Sequence, residues 1–395
     1  MKRWSYFFRF CLQTFAKKSE FWGGVILFAA AVLALVVANH PQGTWFSKIW
    51  DVSFPIQILN HPGPISIKTV VNDIGMTLFF LLVGMEIKRE FTDGELSSIR
   101  KAAFPIVAAI GGMMVPAAIY LLFCHGTPFS KGFGIPIATD IAFATGVLAL
   151  LGKKVPSWAK VFLTSLAIFD DIGSILFIAA FYTQSVLLYG FFCAAITIAL
   201  LCLLQYRKVT NLWVYLLLGI PLWISFYASG IHATLSGIVL SFFIPQKHRL
   251  FLAFEHRLKT AVTFFVLPLF ALCNASIKTD VASLSIALHH PITKGVFFGL
   301  FVGKPLGVLC FSFLAAKLGL AKQPQDARFS QMASLALLAG IGFTMSLFIT
   351  QLSFHSKELQ EMAKVGILLS SLFATILGII FFLLSSKTSK SQLSL

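Results

Sequence analysis

The chain has 395 residues, of which 57% are hydrophobic and only 12% are charged, and its mean hydropathy is +0.86. Because a soluble domain carries about 25% charged residues, this composition excludes a soluble protein and indicates a protein that crosses a membrane many times. The net charge of +16 would also suit a nucleic-acid-binding protein, but the positions of the basic residues explain it without such a partner.

Several stretches lack Asp, Glu, Lys and Arg for long enough to cross a bilayer, which takes about 20 residues. We predict twelve transmembrane spans, at about 21–39, 66–87, 102–124, 132–151, 158–182, 187–205, 211–226, 230–244, 260–276, 293–315, 330–352 and 362–385. They fill the chain, so residues 1–395 are expected to form a single integral membrane domain. A short N-terminal segment (1–20) and a short tail (386–395) flank the spans.

The 31 Lys and Arg residues lie mostly in alternate connections, beginning with the N-terminal segment. The connections on the other side hold only Lys48, Lys68, Lys131, Lys278, Lys294, Lys357 and Lys364. Positive charge marks the cytoplasmic side of a membrane protein. Both termini are therefore predicted to be cytoplasmic, and the basic surplus is a topology signal that needs no nucleic-acid partner.

The first long connection, at about 40–65, contains the turn-rich stretches HPQGTWF and NHPGPIS and can hold a small hairpin. The six cysteines lie in or beside apolar spans and show neither pairing nor metal-ligand spacing. They are expected to be free thiols, and no cofactor is expected.

Two predicted spans contain interruptions at membrane depth. The fourth reads GIPIATDIAFATG (134–146) and the eleventh reads LAGIGFTMSLFIT (338–350). Gly and Pro are common in membrane helices, but paired interruptions in corresponding positions of two halves point to a transporter binding site. Spans 4 and 11 are the middle members of triplets 3–5 and 10–12. These triplets enter from opposite sides, as an inverted-topology repeat requires.

Four charged residues lie deep inside predicted spans, namely Asp140, the adjacent Asp170 and Asp171, and Lys304. A charge at the bilayer centre costs at least about 2.5–3.5 kcal/mol, so each side chain is expected to face a cavity or a partner. A structural ion pair that ties helices together is one explanation. Three acids against one base nevertheless leave carboxylates unbalanced, which favours a functional site.

Carboxylate and hydroxyl oxygens are hard ligands that suit a hard cation such as Na⁺. Thr139 and Asp140, beside Asp170 and Asp171, can supply several of them. Burial and a nearby ammonium act on the pKa of a carboxyl group in opposite senses, and a carboxylate balanced between them binds either a proton or a cation. If the site opens to one side at a time, that competition exchanges one ion for the other.

Adjacent positions on a helix point about 100° apart. One carboxylate of the Asp170–Asp171 pair is therefore expected at the ion site and the other at its rim or mouth. The ammonium of Lys304 can neutralise a deprotonated aspartate or interact with the partial charges of broken-helix ends.

Charged residues also lie where two spans reach the predicted cytoplasmic side, with Glu86 in VGMEIKRE and the pair Glu255 and His256 before the ninth span. They form either a solvated charged rim or a cluster whose titration gates entry. His256 would suit pH sensing, because histidine titrates close to neutral pH. His232 and Asp73, near the outer ends of spans, are expected to have structural roles.

Eight motifs make the sequence similar to the NhaA family of bacterial sodium/proton antiporters. They are FFLLVGMEIKRE (79–90), AAFPIVAAIGGMMVPA (102–117), IPIATDIAFATGVLALLGKKVP (135–156), FLTSLAIFDDIGSILFIAAFYT (162–183), SGIHATLSGIVLSFFIP (229–245), LPLFALCNA (267–275), VGKPLG (302–307) and GIGFTMSLFI (340–349). The resemblance covers about residues 20–385.

This resemblance implies an all-α fold of twelve transmembrane helices, with an inverted repeat and crossed, broken spans 4 and 11. It implies an antiporter, not an enzyme, that exports Na⁺ and also Li⁺ while a larger number of protons enters, and that is activated at alkaline pH. Members lie in the bacterial inner membrane, often as dimers joined partly by a hairpin after the first span.

The resemblance also assigns roles to residues. Asp170 and Asp171 match the family's ion-binding pair, with Asp171 as the central ligand for Na⁺, and Thr139 matches a neighbouring hydroxyl. Asp140 and Lys304 match the charge-compensating pair at the helix crossing, and Lys304 also matches the lysine partner of Asp170. The positions tied to pH activation are Glu86, Glu255 and His256.

Two departures stand out. Leu252 and Ala253 lie where the best-known member of the family has a Lys-Arg pair, which bears on the pH set point more than on the activity. Ser174 replaces an alanine beside the aspartate pair and adds a hydroxyl.

Other proton-coupled cation or small-solute transporters, uniporters and channels would use similar buried acids. An intramembrane aspartyl protease also needs two buried aspartates, but its Gly-x-Gly-Asp motif is absent from the sequence. A rhomboid-like Gly-x-Ser-Gly and an HExxH motif are absent too, so we expect a transporter.

Overall fold

The computed structural model describes residues 19–54, 65–94, 97–182, 187–246, 249–277, 281–321, 323–324 and 327–391, and this part of the chain is almost entirely helical. In chain order its helices are α1 (Ser19–Asn39), α2 (Thr44–Asp51), α3 (Ile67–Asp93), α4 (Ile99–Cys124), a 3₁₀ helix (Pro128–Ile137), α5 (Ile141–Leu150), a 3₁₀ turn (Gly152–Lys154), α6 (Ser157–Phe181), α7 (Leu188–Tyr206), α8 (Leu212–Ser229), α9 (Leu235–Phe243), α10 (Leu250–Asn274), α11 (Val281–His289), α12 (Pro291–Lys317), α13 (Phe329–Ala339), α14 (Phe343–Ser353) and α15 (Lys357–Ser391). Three of them contain a wide π-helical turn, at Val71–Gly75 in α3, Val262–Val266 in α10 and Gly299–Gly303 in α12.

Within the described residues, nine helices are long and apolar enough to cross a membrane, or up to 11 if each of two bent pairs forms one span. The 3₁₀ helix and α5 are bent by 41°, and α13 and α14 by 42°. These bends coincide with the predicted interruptions at 134–146 and 338–350, so both broken spans are confirmed.

The predicted eighth span, at 230–244, contains only α9, which has 9 residues. At 1.5 Å per residue this helix is about 14 Å long, less than the roughly 30 Å of a hydrocarbon core. The count of twelve spans and the inverted repeat therefore stay predictions. The other expected spans match helices, and multiple crossing of the membrane is established.

Glycines bring α12 against α4 backbone to backbone. A β-carbon on Gly303 would lie 2.9 Å from Cα of Pro116, and Gly307 packs directly on Gly111. Small residues allow this close approach of membrane helices. The contact fixes the depth of Lys304, which follows Gly303 in the chain.

The connection after α1 contains two short antiparallel strands, β1 (Ser53–Phe54) and β2 (Ile65–Ser66). The predicted hairpin is thus confirmed in its paired residues, while 55–64 lie outside the described part. The described cysteines are free thiols, as predicted, and Cys11 is not among them. The predicted N-terminal segment 1–20 is described only from Ser19, and α15 continues to Ser391 into the predicted tail.

Candidate ion-binding site

The two broken spans touch each other at their breaks. The main-chain N–H of Asp140 donates to the carbonyl of Ile341 (2.7 Å), and the hydroxyl of Ser346 donates to the carbonyl of Ile135 (2.7 Å). Four helix ends consequently meet at the crossing, two C-terminal (the 3₁₀ helix and α13) and two N-terminal (α5 and α14). Such ends carry partial charges of opposite sign, which side chains of opposite charge can stabilise.

Asp140 serves both N-terminal ends. Its Oδ1 accepts from the N–H of Phe143 (2.9 Å) as the N-cap of α5, and its Oδ2 accepts from the N–H and the hydroxyl of Thr344 (3.0 and 2.5 Å) in α14. A carboxylate at two helix N-termini is stabilised without any cationic side chain. Asp140 therefore holds the crossing together.

Lys304 serves a C-terminal end. Its ammonium donates to the carbonyl of Ile137, the last residue of the 3₁₀ helix, and lies 2.8 Å from Oδ2 of Asp170. Both side chains are completely buried. Its ion-pair partner is thus Asp170, while Asp140 and Lys304 each contact helix ends. Their charge-compensating role stays a prediction.

Thr139 links the crossing to α6. Its hydroxyl lies 2.6 Å from Oδ2 of Asp170 and 2.9 Å from the carbonyl of Ala339, the last residue of α13. One hydroxyl proton serves two acceptors, so the strength of each contact depends on whether Asp170 is charged. Thr139, Asp170 and Lys304 form one connected group.

Asp171 is next to this group but is not held by it. The side chain is 1% exposed, its Oδ1 has no hydrogen-bond partner among the described residues, and it takes part in none of their ion pairs. Oδ1 of Asp170 has no partner there either. A buried carboxylate oxygen without a partner is costly, so the pair is suited to bind a proton or a cation. Both aspartates are buried, and which of them lies at the ion site and which at its rim stays a prediction.

A cavity of about 90 Å³ approaches the site from the end of the molecule where α3 and α10 carry their charges. Its lining includes Glu86, Arg89 and Lys259 at one end and Thr145 and Ile168, on α5 and α6, at the other. Since Ile168 is less than one helical turn from the aspartate pair, the cavity leads toward it.

Ion pairs join α3 and α10 beside this cavity. Lys259 lies 2.8 Å from Glu86, and Arg89 lies 2.5 Å from Glu255. His256 is on the same helix, but its side chain is exposed and these pairs do not include it. The predicted pH-regulating residues therefore divide into two that belong to one charged group and one that does not.

At the opposite end, three amide side chains form a closed ring, which we call the amide ring. Asn72 donates to Gln351 (2.7 Å), Gln351 donates to Asn274 (2.5 Å), and Asn274 donates to Asn72 (2.7 Å). The ring joins α3, α10 and α14. It was missed by the sequence reasoning, although three amides in otherwise apolar spans are a readable signal.

His232 was expected to have a structural role. Its Nε2 lies 3.1 Å from the carbonyl of Tyr182, which suits that role.

Two partners in the site were not predicted. The sequence indicated Thr344, the main side-chain partner of Asp140, only as a polar residue of the broken span. The carbonyl of Ile137 has no side-chain signature that could have revealed it.

A polytopic helical membrane protein with two crossed, broken spans around buried carboxylates has the architecture of a secondary transporter. The family described as "Na+/H+ antiporter 1" matches residues 14–382. The chain belongs to this family of sodium/proton antiporters.

Similar proteins include Na(+)/H(+) antiporter NhaA of Cytophaga hutchinsonii, 43% identical over 374 residues that cover 94% of each chain. Na(+)/H(+) antiporter NhaA of Citrobacter koseri is 45% identical over 370 residues, which cover 90% of this chain and 94% of that one. The solved structure of the sodium proton antiporter MjNhaP1 from Methanocaldococcus jannaschii is similar in fold, with a TM-score of 0.53 at 14% identity and coverage of 93% of this chain and 90% of that one.

Proposed function

We propose that the chain exports Na⁺ from the cytoplasm in exchange for external protons, with Asp171 as the carboxylate that binds either ion. The observation that carries this proposal is the unequal treatment of the three buried acids. Asp140 is held by two helix N-termini and Asp170 by Lys304 and Thr139, whereas Oδ1 of Asp171 has no partner among the described residues.

Competition for the same oxygens couples the two ions. When Na⁺ binds between Asp170 and Asp171, it displaces protons, and when protons bind, the site no longer attracts Na⁺. The crossed breaks supply a flexible centre whose helix ends can open to one side at a time. Li⁺ is expected as a second substrate, because carboxylate and hydroxyl oxygens suit both small hard cations.

We further infer that exchange is electrogenic. Asp170 and Asp171 can each take up a proton, so more than one proton can enter for each Na⁺ that leaves. The net inward charge is worth about 2.3 kcal/mol per 100 mV, which drives Na⁺ export against its gradient.

The protein is proposed to lie in the inner membrane of a bacterial cell. The end that holds the charged cavity is proposed to face the cytoplasm, because Lys and Arg accumulate at that end. Activation at alkaline pH is assigned to the group of ion pairs around Glu86 and Glu255, which lines or adjoins the path to the site. A homodimer in which the β1–β2 hairpin takes part is also proposed.

The test is transport by everted membrane vesicles in which respiration has established a ΔpH. Addition of NaCl or LiCl should collapse the ΔpH, and more rapidly at alkaline pH. Asp171→Asn should abolish the response, while Asp51→Asn, at an exposed position of α2, should retain it. A fully active Asp171→Asn variant would refute the site, and a response to K⁺ alone would refute the substrate.

A further inference from the structure

Three buried oxygens on consecutive turns of α6 have no hydrogen-bond partner among the described residues. They are Oδ1 of Asp170, Oδ1 of Asp171 and the hydroxyl of Ser174. The three residues are at most 1% exposed. The hydroxyl is thus as deeply buried as the two carboxylates.

Among the described residues, Ser174 shares its unpartnered hydroxyl with one other buried helical serine, Ser312. Several other buried helical serines donate to a main-chain carbonyl one turn earlier, as Ser225 does to Pro221 (2.6 Å), Ser334 to Ser330 (2.9 Å) and Ser353 to Ile349 (2.8 Å). That carbonyl is the default partner of a serine within a helix. The side chain of Ser174 does not use it.

Helix geometry places Ser174 over the aspartate pair. It follows Asp170 by one turn and, at about 100° per residue, lies between Asp170 and Asp171 when viewed down the axis, about 40° from the first and 60° from the second. Side chains on a helix lean toward its N-terminus and cover the preceding turn. The hydroxyl therefore covers the turn that carries both carboxylates.

We propose that the Oγ of Ser174 is a direct ligand of the transported cation and favours Na⁺ over Li⁺. The proposal rests on the proposed function of the aspartate pair. A hydroxyl is a neutral, hard oxygen ligand that satisfies its own hydrogen-bonding need when a cation occupies the site. Because it does not titrate in the working range of pH, it adds affinity for the cation without competing for the proton.

Ion size gives the selectivity. Na⁺ is larger than Li⁺ and takes more oxygen ligands, so the third oxygen on α6 matters more to Na⁺. Loss of one ligand oxygen should therefore weaken Na⁺ binding more than Li⁺ binding and leave the maximum rate unchanged.

The experiment compares Ser174→Ala with wild type in everted vesicles at one fixed pH, with NaCl and LiCl titrated separately. The KM for Na⁺ should rise roughly three- to tenfold, which corresponds to one lost polar contact, and the KM for Li⁺ by a smaller factor. Equilibrium binding of radioactive Na⁺ to the purified full-length protein should weaken by a similar factor. Ser174→Thr, which keeps the hydroxyl, should recover part of the loss.

Ser312→Ala is the matched control, because the hydroxyl of Ser312 is also buried and unpartnered among the described residues but lies on α12, two turns beyond Lys304. It should leave both KM values unchanged. An unchanged KM and an unchanged binding constant for Na⁺ in Ser174→Ala would overturn the proposal. If Asp171→Asn is inactive in the same vesicles, an unaffected Ser174→Ala variant would refute only the role of Ser174 as a ligand. A fully active Asp171→Asn variant would refute the ion-binding site itself.

Discussion

The helices α3 and α10 are joined at both ends, but by different chemistry. At one end the contacts are ion pairs, Glu86 with Lys259 and Arg89 with Glu255, beside a cavity. At the other end Asn72 and Asn274 join Gln351 in the neutral amide ring. Asn72 and Glu86 are about 21 Å apart along α3, since roughly four turns separate them.

The two ends also differ in which helices their contacts join. In the amide ring every member donates to the next, and the ring includes α14, which carries one of the breaks. The ion pairs join α3 to α10, and the cavity beside them is also lined by residues of α5 and α6. The neutral ring thus holds three helices together at one end, and at the other end the ion pairs lie beside a cavity.

The largest expected effect comes from breaking the amide ring. Gln351→Leu would leave the amide N–H of Asn72 and the amide oxygen of Asn274 without this partner in a buried place, at about 1–3 kcal/mol for each unsatisfied group. We expect a clear fall in Tm, measured by thermal unfolding of the purified protein in detergent.

A second variant separates the polar contacts from simple loss of packing. Replacing all three amides by Leu also removes the donor of Asn72 and the acceptor of Asn274, which Gln351→Leu alone would leave without a partner. The triple variant should therefore be less destabilised than Gln351→Leu. Gln205→Leu, at an exposed position of α7, should be nearly neutral. A triple variant whose loss equals the sum of three single losses would show that the residues do not act as a ring.

A smaller effect is expected at the charged end. Lys259 is 46% exposed in its pair with Glu86, so loss of the pair should change the free energy of unfolding by less than about 1 kcal/mol. Transport should respond more, because Glu86→Gln removes a negative charge from the path of the cation. The KM for Na⁺ should rise about twofold at low ionic strength, and Lys259→Gln should lower it.

Ionic strength provides the control for this charge effect. Salt screens exposed charges beyond about 8 Å at 0.15 M but screens buried charges much less. Added choline chloride should therefore bring the KM of Lys259→Gln, at a side chain that is 46% exposed, closer to wild type than the KM of Glu86→Gln, at a side chain that is 12% exposed. A difference in Lys259→Gln that persists at high salt would show that this variant acts through structure and not through charge.

The smallest effect is expected for His256→Ala. Its side chain is exposed and takes no part in the ion pairs that join α3 and α10. The pH dependence of Na⁺-driven ΔpH collapse should stay within error of wild type, whereas Glu255→Gln should change it. A lost pH response in His256→Ala alone would contradict the assignment of regulation to the ion-pair group.

Both broken spans and all four deep charges could be predicted from the sequence, because a charge or a Pro-Gly interruption at membrane depth is costly and therefore readable. Geometry within the site was not readable in the same way. Lys304 donates to the main-chain carbonyl of Ile137. Every residue carries such a carbonyl, so the amino-acid sequence does not reveal this partner. The expectation that one aspartate lies at the ion site and the other at its rim stays a prediction, since both side chains are buried.

The three amides of the ring could be recognised as polar residues within apolar spans, but their association with one another could not be predicted. Asn72, Asn274 and Gln351 are separated in sequence by more than two hundred and by about eighty positions, and no periodic pattern connects them. The length of α9 could not be predicted either, since hydropathy extends through 230–244 while the helix begins only at Leu235.

Competition of Na⁺ and protons for the carboxylates around Asp171 can be measured by adding NaCl to the purified protein in weakly buffered detergent solution and recording the pH. If the two ions compete, Na⁺ should release protons from the wild-type protein and none from Asp171→Asn. Na⁺ binding to the wild-type protein without proton release, or an undiminished release from Asp171→Asn, would contradict this competition.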